Sequence, residues 1–237
     1  MRILFVCHRF PFPPQRGGKI RPFNMIRHLH ARGHQVVVAS MARTAQEAAA
    51  GAGLAQHCEE ALCEVIDDVP AWARMVLRLP TPVPSSFGYF YSPRLAARIR
   101  DRLARGDIDF ILVHCSSAAQ YVADVRGIPK LLDFGDMDSQ KWREYAHYKV
   151  FPLSAGYWWE GLRLEATEKK LARQFDLCTA TTRAELETLD GFGTGVPSDW
   201  YPNGVDAGYF SPAGDEWDND TICFVGRMDY YPNQQGV

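Results

Sequence analysis

The opening segment MRILFVCHRFPFPPQRGGKIRPFNMIRHLHARGHQVVVAS restricts this chain to few folds. Ile3 to Cys7 is an uninterrupted apolar run of strand length. A loop carrying Pro11, Pro13, Pro14, Gly17 and Gly18 follows it. The pattern then predicts a helix from about Lys19 to Ala31, with Ile20, Phe23, Met25, Ile26 and Leu29 as its apolar stripe. Gly33 suits the residue just past a helix end, and Val36 to Ala39 is a second apolar run. Strand, glycine loop, helix and strand make a βαβ unit. Strands that are apolar on both faces belong to parallel sheets covered by helices. Such sheets bind ligands beyond the carboxyl ends of their strands, so the loop after the first strand is the first candidate site.

The alternation continues along the chain. Strands are expected at Leu62–Ile66, Asp109–Cys115, Lys130–Phe134, Asp176–Ala180 and Asp199–Tyr201. Between them the pattern predicts helices over Thr44–Cys58, Pro70–Leu79, Pro93–Arg105, Ser116–Val125, Ser139–Tyr148, Ser154–Arg173 and Ala184–Leu189. The expected fold is α/β: a Rossmann-like, doubly wound, mainly parallel sheet occupying residues 1–203. Residues 204–220, rich in Gly, Pro and acids, read as a linker. Thr221 to Val225 reads as the first strand of a second α/β domain, of which 221–237 would be only the start.

Composition excludes some functions. A net charge of −2 gives no case for a nucleic-acid binder. No apolar run approaches the roughly 18 residues of a membrane span, and the N-terminal run is too short for a signal-peptide core. A cytoplasmic protein is expected. Cys7, Cys115, Cys178 and Cys223 lie in or beside strand-like runs, where free Cys acts as a small hydrophobe. Cys58 and Cys63 have no second pair to complete a zinc site, so no metal is expected.

Three stretches offer chemistry. Pro13-Pro14-Gln15-Arg16-Gly17-Gly18-Lys19 could present backbone N–H groups and two cations, Arg16 and Lys19, to an anion at a helix start, or could simply be a tight turn. It is neither a P-loop nor a dinucleotide fingerprint. Asp133, Asp136 and Asp138 crowd three acids at a strand end. Asp138 or Ser139 is expected to cap the next helix, which leaves Asp133 and Asp136 as a base or hydroxyl acceptor. His114, Ser116 and Ser117 end another strand, where a buried histidine and an N-cap are the plainer roles. No G-x-S-x-G elbow exists, which argues against an esterase. The aromatic residues Trp142, Tyr145, Tyr148, Tyr157, Trp158 and Trp159 could form a sugar or lipid platform, though packing is the commoner role. Glu160, Glu165 and Glu168 on the same helix are expected to be solvated, and Arg94, Arg98, Arg102 and Arg105 to form a solvated outer face.

Several separate stretches resemble the family 4 retaining glycosyltransferases of the GT-B fold, specifically their N-terminal domain. They are PFPPQRGGKIRPFNMIRHLHARGHQVVVAS, DFGDMDSQKWREYA, WYPNGVDAGYFSP and FVGRMDYYPNQQGV. The middle stretch is similar to sugar transferases of exosortase-associated (PEP-CTERM) exopolysaccharide loci. The resemblance implies two Rossmann-like domains around a cleft, the first binding the acceptor and the second a nucleotide sugar (a UDP- or GDP-sugar) as co-substrate, with no metal. It places Gly17, Gly18, Arg16 and Lys19 near donor phosphates and acceptor. It also places Asp136 near the reacting hydroxyl and Asn203 at the hinge near the cleft; Asp133 and His114, from their strand-end positions, are the further binding candidates. The implied partners are a nucleotide sugar and a glycan or polyprenyl-linked acceptor, with peripheral contact at the inner face of the plasma membrane. Most donor-binding groups would lie outside this chain, which would then be inactive alone. A non-catalytic Rossmann-like binding module and a GT-B sugar-nucleotide epimerase are the alternatives.

Overall fold

A computed structural model of the protein describes residues 1–211, 214, 218–226, 228 and 233–234. The chain divides into two compact units, Met1–Asn203 and Gly204–Val237. The first holds seven strands in one sheet: β1 (Arg2–Cys7), β2 (Gln35–Ala42), β3 (Glu60–Val65), β4 (Phe110–His114), β5 (Lys130–Asp133), β6 (Leu177–Ala180) and β7 (Ser198–Trp200). Their order is β3-β2-β1-β4-β5-β6-β7, and every pair is parallel. The chain therefore leaves β1 towards one edge and returns on its other side at β4.

Helices cover both faces. α1 (Gly17–Ala31) lies on one of them, where Phe23 and Ile26 pack with Ile3, Phe5 and Val38. The opposite face buries Leu4, Val6, Val37 and Val113. Against it pack α3 (Asp68–Leu77) through Ala71, α4 (Ser85–Tyr89) through Phe87, and α5 (Pro93–Leu103) through Leu95 and Ile99. The long α8 (Leu153–Ala172) adds Leu164 and Leu171, and α9 (Arg183–Asp190) adds Leu189. Neighbouring strand residues alternate between these two cores, so the runs read as apolar throughout.

The expected helix over Thr44–Cys58 is cut short. Only Ala45–Ala49 is α-helical (α2), and Ala50–Gly53 tightens to a 3₁₀ turn. A Cβ on Gly51 would stand 2.7 Å from the Phe10 ring, and one on Gly53 would stand 2.2 Å from the Phe12 ring. The loop after β1 thus packs where a regular helix with side chains would lie. The helix expected at Ser116–Val125 shrinks to α6 (Ser116–Ala119). Thr221–Val225 forms no strand among the described residues; Ile222 and Val225 are exposed, and an extended segment becomes a strand only with a ladder partner.

Several charges expected in solvent are buried. Arg102 of α5 is covered and bonds Glu60 at 3.1 Å as well as Asp107. Glu160 and Arg163 of α8 pair in the interior. Glu160 also accepts the backbone N–H groups of Ser85 and Ser86 at 3.1 and 3.0 Å. Arg163 donates to the carbonyls of Arg78, Leu79 and Thr81 at 2.8, 3.1 and 3.0 Å. One pair therefore fixes the whole link between α3 and α4 on α8. Arg163→Ala leaves the Glu160 carboxylate buried without its cation and is expected to cost about 3–5 kcal/mol of stability in urea unfolding. Exchanging both residues for apolar ones is expected to cost far less; equal losses would show that the pair itself is not what holds the link.

Candidate functional site

The carboxyl ends of β1, β4, β5 and β6 bring one row of side chains into register: Cys7 beside His114, His114 beside Asp133, Asp133 beside Thr179. Asp133 is the centre. It is fully buried, and accepts from His114 Nδ1 at 2.7 Å and Thr179 Oγ1 at 3.0 Å. Arg21 of α1 reaches it with a two-pronged guanidinium, both contacts at 3.1 Å. Burial pushes the Asp133 carboxyl up, but the bonds from His114 and Arg21 outweigh burial and hold it at about 2. An ionised carboxylate only accepts, so the His114 Nδ1 carries its proton towards Asp133. In the neutral imidazole that leaves Nε2 with the lone pair.

Arg21 also donates to the Tyr201 carbonyl at 3.2 Å and to the Asn203 Oδ1 at 3.1 Å, with its guanidinium 3.9 Å above the Tyr201 ring. It ties α1 to the segment after β7. Asn203 is thus a partner of Arg21 within the first unit.

His8 follows β1 directly. Its ring centroid lies 6.3 Å from that of His114, and its edge packs on Phe90 at 5.1 Å. Its Nδ1 is buried without a partner. Desolvation, then the cations Arg9 and Lys141 and the His114 ring, hold His8 well below the ordinary histidine range, so it is neutral near pH 7. Cys115, just past β4, holds a φ of 76°, the one positive value at a non-glycine among the described residues. Such strain gathers where a scaffold aims side chains at a ligand.

Asp136 is exposed beyond β5. Gly135 before it holds a φ of 68°, and a Cβ there would stand 3.1 Å from the His114 Cε1. Asp136 and the half-buried Asp138 share this edge with Lys141: desolvation pushes Asp138 up, Lys141 opposes this, and Asp136 adds to it. Neither Asp138 nor Ser139 caps α7 (Asp138–His147) with its side chain. Two distant glutamates do so instead. Glu185 accepts from the Met137 N–H at 3.2 Å, and Glu168 accepts from the Ser139 N–H at 3.1 Å. Glu168 is therefore buried rather than solvated, and burial pushes it up to about 8.

The glycine loop lies at the start of α1. Arg16 is the N-cap residue and supplies no side-chain cap. Arg16, Gly17 and Gly18 are exposed, and Gly18 faces the Arg9 side chain at 3.8 Å from a notional Cβ. Lys19 bonds Glu47 and the Phe12 carbonyl, so its charge is engaged within the fold. Among the described residues no cluster of three His, Cys, Asp or Glu side chains could hold a metal. Arg9, Arg21 and His8 were missed by sequence reasoning. His8 and Arg9 stand at a strand end, the position where such folds carry function, whereas nothing local marks Arg21.

The description "Glycosyl transferase 4-like domain" matches residues 16–201, most of the chain, with His114, Asp133 and Thr179 of the row inside the match and Cys7 and His8 before it. The chain belongs to the glycosyl transferase 4-like family. The family domain's fold is similar to that of sucrose-phosphate synthase from Thermosynechococcus elongatus, with a TM-score of 0.57 and 13% identity over 89% of this chain and 50% of that one. A Glycyrrhiza uralensis protein, UGT73P12, complexed with glycyrrhetinic acid 3-O-monoglucuronide, aligns at a TM-score of 0.46 and 14% identity, over 84% of this chain and 48% of that one. The chain spans about half the length of these solved structures. No curated protein matches it significantly. The sheet is the Rossmann-like N-terminal domain of the GT-B arrangement, and its strand order reverses between β1 and β4, where His8 and His114 stand.

Two outcomes test this edge of the glycosyl transferase 4-like domain. Gly135→Ala forces a positive φ on an L residue and crowds the His114 ring. It is expected to cost about 1–3 kcal/mol and to move the His114 imidazole resonances; an unchanged melt with unchanged resonances would show that the ring is not held there. Glu168 binds its proton more tightly folded than unfolded, so its contribution is present at acid pH and is lost as pH rises from about 4 through about 8. Glu168→Gln is expected to match the parent near pH 4 and to exceed it increasingly towards pH 8 in denaturant unfolding; parallel pH profiles would remove Glu168 from this role.

Proposed function

We propose that this chain is the acceptor-binding half of a retaining glycosyltransferase. The enzyme would move a sugar from a UDP- or GDP-sugar to a glycan or polyprenyl-linked acceptor at the inner face of the plasma membrane, in exopolysaccharide synthesis of the exosortase-associated type. One observation carries the reading: within the family match, His114 is held by the buried, ionised Asp133 at the point where the strand order reverses, next to exposed Asp136. In glycosyl transfer an acceptor oxygen bonds to the anomeric carbon as the bond to the diphosphate breaks. The hydroxyl must be oriented, its proton must leave, and the departing phosphate needs positive partners. The His114 Nε2 can accept a hydrogen bond from the hydroxyl. Asp136 can take its proton. Arg9, Arg16 and the N-terminal N–H groups of α1 at Gly17 and Gly18 form the electropositive side of the same edge. Asp133 and Arg21 position His114 and do not touch substrate.

The division 1–203 acceptor domain, 204–220 linker and 221–237 donor-domain start belongs to this proposal. It places the donor sugar and base mainly on residues outside this chain, so titration of UDP-sugar into the 237-residue protein is expected to give weak or undetectable heat. In the full-length enzyme, Asp136→Asn is expected to lower kcat by about 10²–10⁴-fold with donor affinity spared. His114→Ala is expected to raise the acceptor KM as well. Unchanged turnover in Asp136→Asn would remove it from the chemistry. Isomerisation of the sugar nucleotide without any acceptor would replace the transferase with an epimerase.

A further inference from the structure

The amino ends of β5 and β6, at the edge of the sheet opposite the candidate site, hold a cleft of about 330 Å³. It lies between the turn before β5, residues 125–128, and the turn from α8 into β6, residues 173–176. Lys130, the first residue of β5, lines it as well. The volume is at the lower end of those that hold small molecules. Gly127 holds a φ of 79°, and a Cβ there would meet nothing within 4 Å, so this turn leaves the wall open.

Three cations line the cleft, Arg126, Lys130 and Arg173, with one acid, Asp176. Among the described residues none of the three cations pairs with a carboxylate. Lys130 is buried; its ammonium donates to the carbonyls of Val122 and Ala123 at 3.4 and 2.8 Å and lies 5.0 Å from the Phe175 ring centroid. Those carbonyls satisfy two of its three N–H groups and bring no formal charge. Arg126 donates to the carbonyls of Ala123 and Val125 at 3.0 and 3.3 Å. Arg173 stands just past the end of α8 and is exposed. The two acids nearby are engaged with other groups. Asp176 accepts the backbone N–H of Lys130 at 2.7 Å, and Asp124 accepts the Gln174 amide at 3.4 Å. Desolvation and Arg126 push the Lys130 ammonium down, and Asp176 and Asp124 oppose them. Elsewhere on this edge the cations are paired: Arg2 with Glu59 and Asp107, and Arg102 with Glu60 and Asp107. A buried ammonium beside two guanidinium groups calls for negative charge that this part of the fold does not supply. A phosphoryl group fits the need. It carries up to two charges and three acceptor oxygens, and it suits the two-pronged geometry of guanidinium. A carboxylate brings one charge and two oxygens for three donor groups.

We propose that this cleft binds the phosphoryl group of a small soluble molecule through Arg126, Lys130 and Arg173. The cleft is distinct from the edge assigned to glycosyl transfer: Lys130 and Asp133 are the two ends of β5, about 10 Å apart along the strand. The proposal therefore stands or falls apart from the transferase reading. Inorganic phosphate and pyrophosphate are the probes, titrated into the 237-residue protein against chloride at matched ionic strength and followed by amide resonances. Saturable shifts at Gly127, Lys130 and Gln174 are expected with both probes and not with chloride, and pyrophosphate is expected to raise the melting temperature. Arg173→Gln is expected to weaken binding by about threefold or more, and Arg126→Gln/Arg173→Gln by about tenfold or more, with the ligand-free melt retained because both side chains are exposed. Arg9→Gln/Arg16→Gln, at the other end of the sheet, is expected to leave the Gly127 shifts unchanged. Three results would each overturn the proposal: no saturable shift at Gly127 and Gln174, the same shifts with chloride, or a double variant at Arg126 and Arg173 that binds like the parent. Shifts confined to Gly17 and Gly18 would overturn it too, while leaving the transferase reading in place.

Discussion

The buried carboxylate of Asp133 organises the site end of this molecule. A charge with no solvent access survives only if its bonds replace hydration. Here those bonds come to the acid on β5 from three other elements: the end of β4 through His114, β6 through Thr179, and α1 through Arg21. Arg21 then continues to Tyr201 and Asn203. Asp133, which the sequence offers beside Asp136 as a candidate base or hydroxyl acceptor, is thus committed to architecture. It fixes the tautomer and direction of His114, while Asp136, three residues further on, stays at the surface.

Carboxyl groups that reach across from other elements recur as positioning devices elsewhere. Glu168 and Glu185 reach from other helices to satisfy the first N–H groups of α7, the helix that starts just after Asp136. A local serine or aspartate cap would fix only the helix end. Caps borrowed from α8 and from the residue that also closes the α9 capping box tie the Asp136 loop to the rest of the sheet. Glu160 and Arg163 do the same for the link between α3 and α4. Removing one member of the Glu160–Arg163 pair strands the other, so that contact specifies geometry more than it adds stability.

The strands were legible because both faces of a parallel sheet are dry, and a continuous apolar run such as Leu4-Phe5-Val6 states that directly. The helix after the glycine loop was legible from its stripe. The shortened α2 was not, since its cause is the approach of Phe10 and Phe12 from a segment about forty residues earlier. Glu160, Glu168 and Arg102 looked solvated because helical spacing shows which residues share a face, not what packs on that face. Asp133 and His114 were found by their place at strand ends. Arg21 was not found, because its partner lies 112 residues away and only the strand order brings them together.

The sequence by itself determined the α/β class, the position of most strands and the edge of the sheet that carries the candidate site, because periodicity and strand-end placement are local properties of the chain. It also carried the resemblance to family 4 glycosyltransferases, which the glycosyl transferase 4-like match over residues 16–201 bears out. Only the tertiary structure decided which of the acids is a buried anchor and which is open, that His8 and Arg9 join the site, and that Lys19 is engaged by Glu47. The physical reason is desolvation: whether a charge reacts, anchors or merely dissolves depends on what is packed around it, and that packing comes from residues remote in sequence.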